Sequence, residues 1–193
     1  MFTPWGYEVE SLPPLLTVGE FNQATGNAHA QDARLTAAVE AASAAIRNEC
    51  GWHIAPNIPC VATLNARGRV AQLPANLVTE VTKVIEDGNE LDADRYEARR
   101  DGLLRHTCHR SWSPKWGGVV VEYCAGYETV PELKSIAIRA VEAALAVPTG
   151  IASESAGGVS ISYSSHAASF AAAAIGGSRS ALAPYRLVSS HAT

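Results

Sequence analysis

The chain has 193 residues, 47% of them hydrophobic and 18% charged, which is enough apolar material for one ordinary domain and excludes a disordered polymer. Its formal net charge is −4. That balance excludes a protein that holds nucleic acid by bulk counterion release, which needs a basic face, but not a surface past which DNA merely slides.

The opening Met1-Phe2-Thr3-Pro4-Trp5-Gly6-Tyr7 has neither the basic region nor the apolar core of an export signal. The longest small-apolar run, Phe170 to Ile175, is too short to span a bilayer, so no membrane partner is expected. Four scattered cysteines (Cys50, Cys60, Cys108, Cys124) lack framework spacing and read as reduced thiols.

Residues 1–16 carry three prolines and no sustained periodicity, and read as an irregular lead-in. Thr17-Val18-Gly19-Glu20 has the form of a capping box opening a short helix, broken at Gly26-Asn27. Asp32 then caps a stronger helix. Leu35, Val39, Ala42, Ile46 and Cys50 make one apolar stripe, Gly51 suits the C′ position, and Glu40, Arg47 and Asn48 fall on the opposite face.

From Ala55 to Tyr127 the pattern changes to short β-rich runs: Cys60 to Leu64, Arg69 to Leu73, Val78 to Glu86, Tyr96 to Arg99, Leu103 to His106 and Val119 to Ala125. Asp87-Gly88 suits a tight hairpin turn. Short strands without intervening helices predict antiparallel pairing. Pro131 starts a second long helix with the stripe Leu133, Ile136, Ala137, Ala140, Ala144 and Val147, ended by Pro148-Thr149-Gly150. Beyond it, Val159, Ile161 and Tyr163 alternate with serines as in an exposed strand, and the alanine-rich 167–174 reads as helical.

Candidate chemistry is sparse. His106-x-Cys108-His109, with Cys50-x-x-His53 and Cys60, has the right atom types for zinc but no Cys-x-x-Cys knuckle, so neither metal nor cofactor is expected. No Gly-x-Ser-x-Gly elbow or phosphate-binding loop is present, and Asp92, Asp94 and Asp101 read as turn residues. The arginines Arg95, Arg99, Arg100, Arg105 and Arg110 are interleaved with Glu97 and Asp101, which reads as a solvated face or a protein contact. Trp112 and Trp116 frame Ser113-Pro114-Lys115. They read either as interface anchors or as a hairpin packed on its own sheet.

The order of the pieces is itself informative. Ala45-Ile46-Arg47-Asn48-Glu49-Cys50-Gly51 is followed by Gly68-Arg69-Val70-Ala71-Gln72-Leu73-Pro74, Val78-Thr79-Glu80-Val81, Asp87-Gly88, Tyr96 and Asp101-Gly102-Leu103-Leu104-Arg105. Then come Val121-Glu122-Tyr123, Ala125-Gly126-Tyr127, Val130-Pro131-Glu132-Leu133-Lys134, Glu154-Ser155, Gly157 to Tyr163, and Leu182-Ala183-Pro184-Tyr185-Arg186. Over roughly Thr17 to Arg186 this order resembles the phage head–tail connector (adaptor, head-completion) family in its longer form with a β insertion.

The resemblance implies an α+β fold: a helical bundle core with an inserted antiparallel β-sheet at about 55–127, and an extended C-terminal arm. The core would be 1–152 and the arm 153–193. It implies a structural, non-enzymatic virion protein at the head–tail interface, assembled in the host cytoplasm. Such a protein forms a dodecameric ring beneath the portal protein, and packaged DNA passes through its channel without sequence-specific binding. A stopper or tail-completion protein would be its other partner. Val159, Ile161, Tyr163, Phe170, Leu182, Tyr185, Arg186 and Leu187 would bind portal or a neighbouring subunit, with Trp112 and Trp116 as further interface candidates. The alternatives are a stopper or tail-completion protein itself, or a small Cys/His metal-binding enzyme.

Overall fold

Alternation of apolar and polar residues in the middle of the chain produces sheets with one buried and one open face. The computed structural model describes residues 1–26, 29, 31–66, 68–146, 153–156, 159–162 and 175–187. They fall into two compact units, one made of Met1–Pro13, Cys50–Thr129 and Tyr185–Thr193, the other of Pro14–Glu49 and Val130–Pro184.

The first unit holds a five-stranded antiparallel sheet. Its strands are β1 (Tyr7–Val9), β2 (Ile58–Leu64), β4 (Val78–Glu86), β5 (Asn89–Glu90) and β8 (Val119–Ala125), in the order β1-β2-β8-β4-β5. A three-stranded sheet has β7 (Leu103–His106) between β3 (Val70–Gln72) and β6 (Tyr96–Ala98). In the central β8, Val119, Val121, Tyr123 and Ala125 point inward and are buried. The register sets Ala62, Val121 and Val84 in one buried row, the cross-strand packing that stabilises a sheet. Register shifts in β4 mark bulges at Thr79 and Thr82, whose hydroxyls donate to the Cys124 and Glu122 carbonyls at 3.2 and 3.0 Å.

A buried polar corner joins the lead-in to this sheet. His53 Nε2 lies 2.9 Å from the Ala125 carbonyl, which can only accept, so that nitrogen carries the proton. Nδ1 is then the acceptor for the Tyr7 hydroxyl at 2.7 Å, and the same hydroxyl oxygen accepts from the His53 backbone N–H at 3.0 Å. Gly126 closes the corner at φ +119°, where an added Cβ would lie 2.8 Å from the Pro56 carbonyl carbon and 2.9 Å from His53 Nε2. No other residue fits there. Antiparallel pairing with Cys60–Ala62 of β2 makes Tyr7–Val9 a strand, correcting the expectation that residues 1–16 are irregular.

The second unit carries α1 (Val18–Ala24), α2 (Ala33–Cys50) as far as Glu49, α3 (Pro131–Leu145), α4 (Arg179–Leu182) and a ribbon of β9 (Ser153–Ala156) with β10 (Val159–Ser162). Both halves of the predicted capping box form: the Glu20 N–H donates to Thr17 Oγ1 at 3.2 Å, and the Thr17 N–H to Glu20 Oε2 at 2.8 Å. Asp32 Oδ1 accepts from the Leu35 N–H at 2.9 Å as an N-cap should. Arg34 donates to the Leu145 carbonyl at 2.9 Å, satisfying one of the carbonyls left open at the end of α3. The predicted apolar stripe of α2 is buried throughout, but Arg47, expected on the open face, is buried with it. The predicted termination of α3 at 148–150, its stripe residue Val147, the Gly157-Gly158 turn and the 167–174 helix lie outside the described residues.

The expected helical bundle core with an inserted sheet is not what the chain builds. The described residues are α+β with four α-helices and antiparallel sheets, mostly strands and loops. The helices bury Phe21, Leu35, Ile46 and Leu133 beside many alanines, but strands and loops of the first unit supply a comparable set of large fully buried side chains: Tyr7, Trp52, Ile54, Leu73, Leu104, Trp112 and Tyr123. The sheets therefore have a core of their own.

Two outcomes follow. Tyr7→Phe removes the hydroxyl that bonds His53 Nδ1 and the His53 N–H, and is expected to cost about 1–3 kcal/mol in urea unfolding. In the second unit, the Lys134 ammonium and the Thr17 amide hold the Glu20 carboxyl well below its ordinary value of 4.5, at about 2. A folded pKa that is depressed makes this pair stabilising above pH 4.5, with the contribution lost as pH falls toward 2. Because the pair is largely exposed, Lys134→Met is expected to cost under about 1 kcal/mol at pH 7. The gap between variant and wild-type urea midpoints should close as pH falls through that window.

Candidate functional site

The end of β4 positions an acidic side chain where the strand's alternation calls for an apolar one. Val84 and Glu86 share the inward face, and Glu86 is only 7% exposed. A buried carboxylate is tolerated only when its oxygens are matched. Glu86 Oε1 accepts from the Ser113 backbone N–H at 2.8 Å, Arg110 Nη2 donates to Oε2, and His106 Nε2 lies 3.3 Å from Oε2. One side chain thus ties together the end of β7 and the long segment leading to β8.

That segment, 107–118, is held at several further points. The Trp112 indole donates to the Leu104 carbonyl at 3.3 Å, its ring lies 4.0 Å from the His106 ring, and its backbone N–H donates to the Gly68 carbonyl at 2.8 Å. Ser113 Oγ donates to Asp87 Oδ1 at 2.7 Å, and this bond, with Lys115, draws the Asp87 carboxyl below its ordinary range. The Asp87 N–H donates to the Gly118 carbonyl at 2.8 Å, and the Gly117 N–H to Asn65 Oδ1 at 2.6 Å. An added Cβ at Gly118 would meet Ser113 Oγ at 2.9 Å and the Lys115 carbonyl at 3.0 Å, so the turn requires glycine. At its tip Trp116 is 83% exposed, although Trp112 four residues earlier is buried.

Beside the segment lies a cleft of about 300 Å³ lined by Glu90, Leu91, Asp92, Arg95, His106, Cys108 and Arg110. Arg110 is engaged by Glu86, and Glu90 by Lys83 at 3.2 Å. Of the remaining basic cluster, Arg99 pairs with Asp101 at 2.7 Å and Arg105 with Glu97 at 2.7 Å, a laced and solvated face.

The proposed metal ligands are not brought together. Among the described residues no group of three His, Cys, Asp or Glu side chains is placed to hold an ion. His53 is spent on Tyr7 and Ala125, and His106 is buried against Glu86 instead of lying exposed in a loop. Burial pushes the Cys60 thiol up to about 12, with Cys124 adding to the shift, so it is not a thiolate at neutral pH. Among the described residues no helix is long and apolar enough to cross a membrane.

The C-terminal candidates are dispersed. Val159 and Ile161 lie in β10, opposite Ala156 and Glu154 of β9. Tyr163 and Phe170 lie outside the described residues. Leu182 is fully buried in α4. Tyr185 stacks edge-on against Tyr127 with centroids 5.3 Å apart, its carbonyl accepts from the Trp52 indole at 2.6 Å, and the Leu187 N–H donates to the Cys50 carbonyl at 2.8 Å. Arg186 between them is half-buried. Residues 185–187 are therefore built into the first unit of their own chain.

Glu86 and the cleft were not foreseen. The available signal was a charged residue two positions after Val84, on the inward face of a strand ending at a predicted turn. Glu86→Ala strands the Ser113 N–H and His106 and is expected to cost about 1–3 kcal/mol. Limited proteolysis should then cut within 107–118, where the wild type resists.

Neither a family model nor a curated protein sequence matches the chain. A solved structure does. It is described as "Neck of empty GTA particle computed with C6 symmetry", and its chain is 20% identical to this one. The superposition covers 94% of this chain and 95% of that one, with a TM-score of 0.60. Across nearly its whole length, the protein has the fold of that neck chain.

Proposed function

We propose that this protein is a structural, non-enzymatic neck protein of a phage-like particle. The observation that carries the reading is the fold shared over 94% of this chain and 95% of a GTA-particle neck chain. The order of segments that resembles the head–tail connector family supports the same reading from the sequence side.

In its finer form, the proposal is an adaptor that forms a ring beneath the portal and joins head to tail in the virion, after assembly in the host cytoplasm. The portal and a stopper or tail-completion protein are its neighbours, and twelve copies is the number the connector resemblance implies. A net charge of −4 suits a channel through which DNA must pass without sticking. The proposal keeps 153–193 as the arm that reaches portal or a neighbouring subunit. Its β9–β10 ribbon carries Val159 and Ile161, and Tyr163 and Phe170 extend it in sequence. The packing of Tyr185 and Leu187 on the first unit favours the ribbon, not the chain end, as the docking element.

Mixing the purified chain with portal should yield a ring of matching symmetry, seen by mass photometry and electron microscopy. Ile161→Asp should weaken that complex. One or two copies per portal, or binding only to assembled portal–adaptor complexes as a stopper would bind, contradicts the adaptor assignment.

A further inference from the structure

The two sheets of the first unit turn their buried faces toward each other: Glu86, on the inward face of β4, meets His106, on the inward face of β7. Their opposite faces are open to solvent and differ in charge. On the three-stranded sheet the charges cancel, Arg105 against Glu97 and Arg99 against Asp101, each at 2.7 Å. On the five-stranded sheet they do not. The register puts Glu8, Val61, Glu122 and Lys83 in one row across β1, β2, β8 and β4, and Glu80 beside Cys124 in the next. Glu90 shares that face opposite Ile85, and it takes up Lys83, the only cation in these five strands, at 3.2 Å. Among the described residues no salt bridge reaches Glu8, Glu80 or Glu122.

Unpaired carboxylates alone would be ordinary solvated surface, but this face also carries an apolar line. Val120 lies opposite Ile85, and Val61 lies on the diagonal from Val120, one strand over. Val61 is 39% exposed, and Phe2, bridged to Glu8 at the edge of the sheet, is 69% exposed. The solvated face of an antiparallel sheet normally reads as polar residues. A valine and a phenylalanine left there forgo the gain that a covering layer would return. From β1 to β4 the face spans three strand spacings, about 14 Å. One α-helix with its side chains, about 10–12 Å across, fits that width.

Charge decides what covers it. Nucleic acid is repelled by the carboxylates. The chain's own C-terminal part cannot match them: beyond Leu145 the sequence holds only two cations, of which Arg179 pairs with Glu49 at 3.4 Å and Arg186 is half-buried. A second copy brings a net charge of −4, and its Arg99, Arg105, Arg110, Lys115 and Lys134 are engaged by carboxylates of their own chain. The fitting occupant is therefore a different protein, one that offers lysine or arginine beside its apolar contacts.

We infer that the open face of the five-stranded sheet docks a basic amphipathic helix of another protein. Val61, Val120 and Ile85 lie under the helix's apolar stripe, and Glu8, Glu80 and Glu122 face its lysines and arginines. Burial of the apolar line holds the helix, while the carboxylates select a basic partner and make the contact sensitive to salt. This contact goes beyond the neck reading and does not need it, because ring formation on portal is a separate measurement.

The test titrates the full chain with a synthetic amphipathic helix of leucine and lysine, with a leucine–glutamate helix of the same pattern as control, and follows amide and methyl shifts by NMR. At about 0.1 M salt the leucine–lysine helix should bind saturably, shifting Val61, Val120 and Glu122 first, and raising the salt should weaken it. The leucine–glutamate helix should not bind. Glu122→Lys should weaken binding about tenfold and Val61→Ser about fivefold. Glu8→Gln, on the exposed edge strand, gives a second reading of the charge effect, about threefold, should Glu122→Lys disturb the sheet. Shifts confined to another surface, equal binding of the acidic helix, or unchanged affinity in both glutamate variants overturns the docking face. None of these results touches the neck reading, which the portal ring tests.

Discussion

Burying a carboxylate under a loop costs free energy unless each oxygen is matched, and matching it fixes the loop. Glu86 stands under that constraint. Its two oxygens are met by an imidazole at His106, the end of β7, and by a guanidinium at Arg110 and a backbone amide at Ser113 from the chain between β7 and β8. An apolar residue there would follow the pattern of Val84 and could be equally stable. It would not say where residues 107–118 go. A buried charge that specifies a conformation more than it stabilises one has precedent, and here the specified object is the turn that presents Trp116.

The two units divide the physical work differently. In the first, alternating β-branched and aromatic residues build sheets with a real core, and polar contacts such as Tyr7 with His53 fix its corners. In the second, alanine keeps the helices slender, and discrete bonds, Glu20 with Lys134 and Arg34 with the end of α3, do the tying.

Local chemistry made much of this legible. Thr17 and Glu20, Asp32 and Pro131 announce helix starts through groups that satisfy free backbone amides or lack one. The turn at Asp87-Gly88 and the alternation in Val119–Ala125 show equally well, because they depend on neighbours one or two positions away. What failed was long-range. Tyr7–Val9 becomes a strand only because β2 and His53 are there to receive it. The bundle expectation followed helix periodicity, which reports that a face is buried but not how much area an alanine face contributes. Trp112 and Trp116 carried the same signal in the sequence, and only the pairing of Ser113 with Glu86 and Asp87 sends one inward and leaves the other out.

The central claim is that the 107–118 segment is a fixed element before any partner arrives, held from below by Glu86. Amide hydrogen exchange on the free chain tests it directly. The Ser113, Gly117 and Gly118 amides, bonded to Glu86, Asn65 and the Lys115 carbonyl, should exchange far more slowly than in an unstructured peptide. Exchange at those three positions at the unprotected rate, in a chain whose β8 amides remain protected, would show a loose loop and contradict the account.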